Sequence, residues 1–289
     1  MPMSITHKPQ AMTLSGNRQL DFRKPLVMGI LNATPDSFSD PGRFFKFEDG
    51  IRRAHDIIDE GADIIDIGGE SSRPGAQPVD ADTESDRVIP LIDAIREFSD
   101  IPISIDTTKA IVAQKAIDAG ADIINDISAF RFDAGMVHVA AGANVPAVLM
   151  HMLGTPKNMQ ENPSYEDCIE EIKCFFREQI DFCISGGMDR DRLILDPGIG
   201  FGKRPQDNLT IIKNLGEFKS FGYPIMVGAS RKSFIPSVSG ITNAADKRIG
   251  GSLASMIISV YNGCSIVRVH DVAETVEALR ILRAIEESI

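Results

Sequence analysis

Eight short apolar stretches each run into a residue able to do chemistry. LVMGIL (26–31) is followed by Asn32, and DIIDIG (63–68) carries Asp66 and opens into GGESSRPG. PISI (102–105) leads to Asp106, DIIN (122–125) ends in Asn125 with Asp126 next, and PAVLM (146–150) leads to His151. LIL (193–195) precedes Asp196 in DPGIGFGK, PIMVG (224–228) opens into SRKSF (230–234), and SIVRV (265–269) contains Arg268 and precedes His270. Arg268 and His270, two apart on a strand, project to one side and place two donors on one wall. A buried cation without a partner is costly, which points to an anion there. The glycines of DPGIGFGK let backbone approach a flat ligand, with Phe201 available to pack on it.

Each residue taken alone has a plainer explanation. An Asp or Asn after a strand often serves as a helix N-cap or Asx-turn. His151 and His270 could be hydrogen-bonded core histidines, and no chemistry is assigned to His7, His55 or His138. Two nucleotide-binding motifs are excluded. A Walker loop needs Gly at 197 and Ser or Thr at 204, where the chain has Pro197 and Arg204, and no G-x-G-x-x-G is present there.

The elements that must position these residues follow from the same pattern. Strands this apolar on both faces belong to a buried parallel sheet. Amphipathic stretches lie between them: 48–60, 83–98, 109–119, 165–185, 206–219, 245–261 and 272–286, with a shorter helix at 133–141. Eight strands alternating with eight helices is the count of a (β/α)₈ TIM barrel, with a doubly wound open sheet as the structural rival. Glycine before a short strand recurs at Gly61, Gly120, Gly142 and Gly263, the left-handed residue that turns a helix end into the next strand. Barrel chemistry sits at the carboxyl ends of strands, where the polar residues fall. The loops NATPDSFSDPGRF and GGESSRPGAQPV are candidate lids over that mouth, or surface loops. The expected organisation is an N-terminal extension over 1–20 and one catalytic domain over 21–289.

Composition narrows the setting. The 289 residues are 43% hydrophobic and 25% charged, ordinary for a globular chain. The net charge of −11 argues against nucleic acid or an anionic membrane as the main partner, although a local basic pocket can still hold a small anion. Cys168, Cys174, Cys183 and Cys264 form no C-x-x-C pair, so reduced structural thiols are expected. The N-terminal MPMSITHKPQ lacks an apolar h-region, and 252–267 is too short to span a bilayer, so a cytoplasmic location is expected.

Together these segments resemble the dihydropteroate synthase family. The stretches are LNATPDSFSD (31–40), GADIIDIGGESSRPGA (61–76), SIDTTK (104–109), INDI (124–127), LMHMLGTPKNMQ (149–160), LDPGIGFGK (195–203), VGASRKSF (227–234) and RVHDV (268–272). The resemblance implies a (β/α)₈ barrel, usually a homodimer. It also implies condensation of 6-hydroxymethyl-7,8-dihydropterin pyrophosphate with p-aminobenzoate, through early loss of pyrophosphate. By the same resemblance Asp106, Lys232 and Arg73 are catalytic. Asp106, Asn125, Met150, Asp196, Gly200, Phe201 and Lys232 hold the pterin, and Asn32, Ser72, Arg268 and His270 hold pyrophosphate. Asn32 is also the implied Mg²⁺ ligand. Phe38, Ser72, Arg73, Pro74, Lys232 and Ser233 border p-aminobenzoate, which sulfonamides would displace. Ser72 stands where Thr is frequent, Pro41 where Gly is common, and Ala33 where Val is frequent; none removes a functional group. Two rivals share the barrel: a pterin-binding methyltransferase domain, and a catalytically silent paralogue that binds a pterin without condensing it. The SRKSF and GGESSRPG segments speak against the first, and intact loops against the second.

Overall fold

The computed structural model describes residues 9–34, 47–72 and 75–288. Its first elements are two short antiparallel strands, β1 (Ala11–Thr13) and β2 (Gln19–Asp21). Eight parallel strands follow: β3 (Leu26–Asn32), β4 (Ile64–Gly68), β5 (Ile103–Asp106), β6 (Ile123–Asp126), β7 (Ala147–Met150), β8 (Leu193–Asp196), β9 (Met226–Val227) and β10 (Ile266–Val269). Their order is β8-β7-β6-β5-β4-β3-β10-β9, and a parallel bridge from Leu195 to Ile225 closes the ring. This is the expected TIM barrel, and closure removes the open-sheet rival.

The helices are α1 (Phe47–Asp59), α2 (Ala81–Phe98), α3 (Ala110–Asp118), α4 (Met136–Ala143), α5 (Cys168–Ser185), α6 (Pro205–Lys213), α7 (Phe234–Ser239), α8 (Ile249–Tyr261) and α9 (Val272–Glu287). Their starts are set locally. Asp80 accepts from Thr83 N at 2.8 Å to begin α2, and Asp167 accepts from Ile169 N and Glu170 N to begin α5. The expected helix over 165–185 therefore starts three residues later. The one expected over 206–219 stops at Lys213 and gives way to a 3₁₀ stretch, Leu215–Phe221.

Strand alternation divides the barrel interior into two levels. Met28, Ile64, Ile123, Val148, Ile194, Met226 and Ile266 fill the amino end, where Met12, Leu14, Leu20 and Phe22 from the hairpin region plug it. Asp122 pins that plug, accepting from Arg18 Nε at 3.0 Å and Nη2 at 2.8 Å, while its other oxygen holds Arg96. Two residues further along each strand, the inward positions become Asp66, Asn125, Met150, Asp196, Gly228 and Arg268. The functional floor is thus the layer above an apolar plug.

Candidate active site at the carboxyl end of the barrel

Two cavities open on that end. The first is a narrow slot with about 20 Å³ of free space, lined by Asn125, Met150, Asp196, Phe201, Lys232 and Arg268, among others. The second is a wider cavity of about 320 Å³ against Asn32, Arg53, Arg231 and His270.

Arg268 organises the slot. Its Nε donates to Asp66 Oδ2 at 2.6 Å and its Nη2 to Asp106 Oδ2 at 2.6 Å. Burial works against the guanidinium charge, but the two carboxylates outweigh it and raise its pKa. Arg268 is thus not a cation without a partner: two acidic residues take its Nε and one Nη2 donor, and its remaining N–H groups are not used by them. Burial drives the Asp106 carboxyl up to about 7, with Arg268 opposing and Asp66 adding to the rise. Asp66 is fully buried and also accepts from Asn125 Nδ2, at 3.3 and 3.2 Å to its two oxygens.

The far side of the slot is built by the glycine-rich loop. Asp196 Oδ1 accepts from Gly198 N at 2.7 Å, and burial raises the Asp196 carboxyl despite that bond. Gly198 has a φ of +71°, and a Cβ there would lie 2.0 Å from the carbonyl oxygen of His151. Only glycine lets the loop pack so closely against the end of β7. Lys203 bolts the two segments together, its Nζ lying 3.0 Å from His151 Nδ1, 3.3 Å from His151 O and 3.0 Å from Phe201 O. All three partners are neutral, and burial drives this ammonium down to about 7. Lys232 lies over the Phe201 ring, 3.9 Å from its centroid, and its stem runs along Gly200. Burial, then Arg268, push its ammonium down to about 7, against the pull of Asp196 and Asp106. Lys232 and Phe201 together leave the slot narrow.

The wider cavity carries two arginines, each braced by a carboxylate. Arg53 donates to Glu60 at 2.8 Å and to the His270 carbonyl at 3.0 Å. Arg231 pairs with Asp271 through Nε at 3.1 Å and through Nη2. Its backbone is left-handed at φ +60°, held by Ser252 Oγ, which accepts from Arg231 N, and by Arg248, which donates to Arg231 O. Ser230 Oγ accepts from His270 N at 3.2 Å and lies 3.1 Å from His270 Nδ1, which ties the imidazole to the end of β9.

The sequence-predicted residues therefore divide between two chambers. Asn125, Met150, Asp196, Phe201, Lys232, Arg268 and Ser72 border the slot. Asn32 and His270 border the cavity. Arg268 and His270 do not share one wall, since β10 ends between them at Val269. Asp106 reaches the slot's edge through Arg268, and Gly200 through the lysine stem above it. Ser233 is exposed at the start of α7. Phe38, Arg73 and Pro74 lie outside the described residues, as does Pro41. Sequence reasoning assigned no role to Asp66, Arg53, Ser230, Arg231 or Lys203. For Asp66 the signal was present, since it stands two residues beyond the inward Ile64. Arg53 comes from α1, where no strand end marks it.

The class of protein follows from the match of residues 28–270 to the sequence profile described as pterin binding enzyme. The chain is 45% identical over 265 residues to the dihydropteroate synthase of Escherichia coli (strain K12), covering 92% of this chain and 93% of that one. A structure of Yersinia pestis dihydropteroate synthase with a sulfonamide drug matches with a TM-score of 0.91 at 42% identity, covering 96% of this chain and 100% of that one. Xanthomonas albilineans dihydropteroate synthase with 4-aminobenzoic acid matches at 0.90 and 39%, covering 97% and 99%. This chain belongs to the dihydropteroate synthase family.

Proposed function

We propose that this chain joins 6-hydroxymethyl-7,8-dihydropterin pyrophosphate to p-aminobenzoate, giving 7,8-dihydropteroate and pyrophosphate. The observation that carries it is the placement of a slot edged by Asn125 and Asp196 beside a wider cavity that offers Asn32, Arg53, Arg231 and His270, with Arg268 and Asp106 paired at 2.6 Å on the slot side. The flat pterin head occupies the slot, its pyrimidine edge on Asn125 and Asp196 and its faces against Met150, Phe201 and Gly200. The diphosphate tail extends toward Asn32, His270 and the arginines of the cavity. Ser72, Arg268 and His270 contact that tail, and Phe38, Ser72, Arg73, Pro74, Lys232 and Ser233 surround p-aminobenzoate.

The C–O bond to diphosphate breaks first and its electron pair leaves with pyrophosphate. The methylene becomes a cation delocalised into the pterin, the amine lone pair of p-aminobenzoate forms the C–N bond, and one amine proton is released. Asp106, as a carboxylate, stands where that positive charge develops. A charged Lys232 would oppose it, and the burial that pushes this ammonium down to about 7 lowers the opposition. The attacking aromatic amine is neutral at pH 7, so no general base is needed.

Mg²⁺ belongs to the same proposal as a companion of the diphosphate. Among the described residues no group of three His, Cys, Asp or Glu is disposed to hold a metal. Asn32 offers one hard amide oxygen at the cavity, which fits an ion that takes few protein ligands and fills its shell with phosphate oxygens and water. When bound, the ion supplies charge neutralisation for the leaving group.

A homodimer and a cytoplasmic location complete the proposal. Ile258 and Tyr261 of α8 and Ile281 and Ile285 of α9 leave a large apolar surface exposed on neighbouring helices, which supports a second copy as the covering partner. The four cysteines are free thiols, and among the described residues no helix is long and apolar enough to cross a membrane.

The test is product analysis. Protein supplied with both substrates and Mg²⁺ should release dihydropteroate and pyrophosphate in equal amounts, and a sulfonamide should inhibit in a way that excess p-aminobenzoate relieves. Pterin binding without dihydropteroate would contradict the proposal, and inhibition that p-aminobenzoate does not relieve would contradict the second-substrate assignment.

A further inference from the structure

Asp66 is the one fully buried carboxylate that touches two slot residues among those described, yet it does not line the slot itself. A carboxylate accepts hydrogen bonds and cannot donate them. Its two oxygens, 3.3 and 3.2 Å from Asn125 Nδ2, therefore fix which way that amide is turned. The NH₂ group faces Asp66 and the carbonyl oxygen is directed away from it. On the next carboxylate of the slot, Asp196, one oxygen is taken by Gly198 N, leaving the other as an acceptor. The slot consequently presents an amide oxygen and a carboxylate oxygen, a pair suited to a ligand edge rich in N–H groups. The 2-amino and N3–H groups of a 2-amino-4-oxopyrimidine form such an edge. Asp66 also holds Arg268 by Nε at 2.6 Å, which leaves Nη2 for Asp106.

We propose that Asp66 is a positioning residue that sets the polarity of the pterin-recognition edge, by orienting the Asn125 amide and anchoring Arg268. It thereby selects 2-amino-4-oxo pterins over their 2-oxo counterparts. The proposal rests on the assignment of the slot to the pterin head. Asp66→Asn keeps the shape but introduces an NH₂ group, so Asn125 turns over and offers its own NH₂ to the slot.

The experiment is calorimetric titration of the full chain with 6-hydroxymethylpterin and with its 2-oxo analogue, beside steady-state kinetics. In folded Asp66→Asn the pterin affinity should fall about tenfold or more, and the preference over the 2-oxo analogue should collapse. The KM for p-aminobenzoate should stay within about twofold. The exchanged pair Asp66→Asn with Asn125→Asp restores an acceptor at position 125, and should recover most of the affinity and the preference. It also carries the test if the single variant does not fold cooperatively. A folded single variant that binds the pterin within about twofold of wild type, or a folded exchanged pair with neither affinity nor preference restored, overturns the proposal. Product formation by the wild type tests the functional assignment separately, because the binding ratios do not depend on turnover.

Discussion

Arg268 and Asp106 form a 2.6 Å ion pair within the barrel, and the same guanidinium holds Asp66 through its Nε. One cation is thus shared by two carboxylates contributed by β4 and β5. Replacing it by Met strands both charges. Arg268→Met should lower stability by about 3–5 kcal/mol, the usual cost of breaking a buried pair by removing one partner. The loss should be larger at pH 8 than at pH 6, because without Arg268 the Asp106 carboxyl, already pushed up to about 7, rises further and its ionisation opposes folding. Urea unfolding at the two pH values measures this, and an equal loss at both would contradict the coupling.

Lys203 makes a separate prediction about pH. Its ammonium is buried against neutral partners and pushed down to about 7 from the ordinary 10.5. Below pH 7 both folded and unfolded chains carry the proton, and the full cost of burying the charge is felt. Between pH 7 and 10.5 the unfolded chain binds a proton that the folded chain lacks, so the Lys203 contribution to stability improves with rising pH. Lys203→Met should flatten the stability profile across that window by up to about 1.4 kcal/mol per pH unit. Lys232, shifted the same way, will retain a slope of its own. Denaturant curves at intervals from pH 7 to pH 10 check the difference.

Gly198 lies where the loop after β8 presses on the end of β7. With φ at +71° and the His151 carbonyl 2.0 Å from where a Cβ would stand, Gly198→Ala adds both backbone strain and a collision with main chain. The expected cost is about 3 kcal/mol or more, with loss of pterin binding because Asp196 and Phe201 flank the displaced turn. Gly142 lies inside α4, whose left-handed end residue is Asn144 rather than the expected Gly142; with nothing within 4 Å of the added carbon, Gly142→Ala serves as the control and should be neutral or stabilising by up to about 1 kcal/mol. Thermal melts of the two variants compare them directly.

Much of this architecture could be read from residues alone, for physical reasons. Short runs such as LVMGIL and PAVLM are apolar on both faces because barrel strands are buried on both sides, and the polar residues ending them mark the carboxyl rim. The hairpin of Ala11–Thr13 and Gln19–Asp21 escaped notice because strands of three residues carry too little alternation to register. α7 escaped because its six residues include Pro236. What the residues alone do not reveal at the site is the pairing of Arg268, whose partner Asp66 lies 202 residues away in sequence. No spacing rule links two strands so distant, and only closure of the barrel brings them together. Arg53 was missed for a related reason, since it reaches the cavity from a helix rather than a strand end.

The central claim is that the slot holds the pterin while Asp106 and Lys232 govern the charge that develops on it. The most direct test compares dihydropteroate formation, scored by mass spectrometry, in wild type, Asp106→Ala and Lys232→Ala with Mg²⁺ and both substrates present. The predicted result is robust product from wild type and a fall in kcat/KM of about 10²-fold or more in each variant, with cooperative melting retained. Folded variants that form dihydropteroate within about threefold of the wild-type rate would contradict the account.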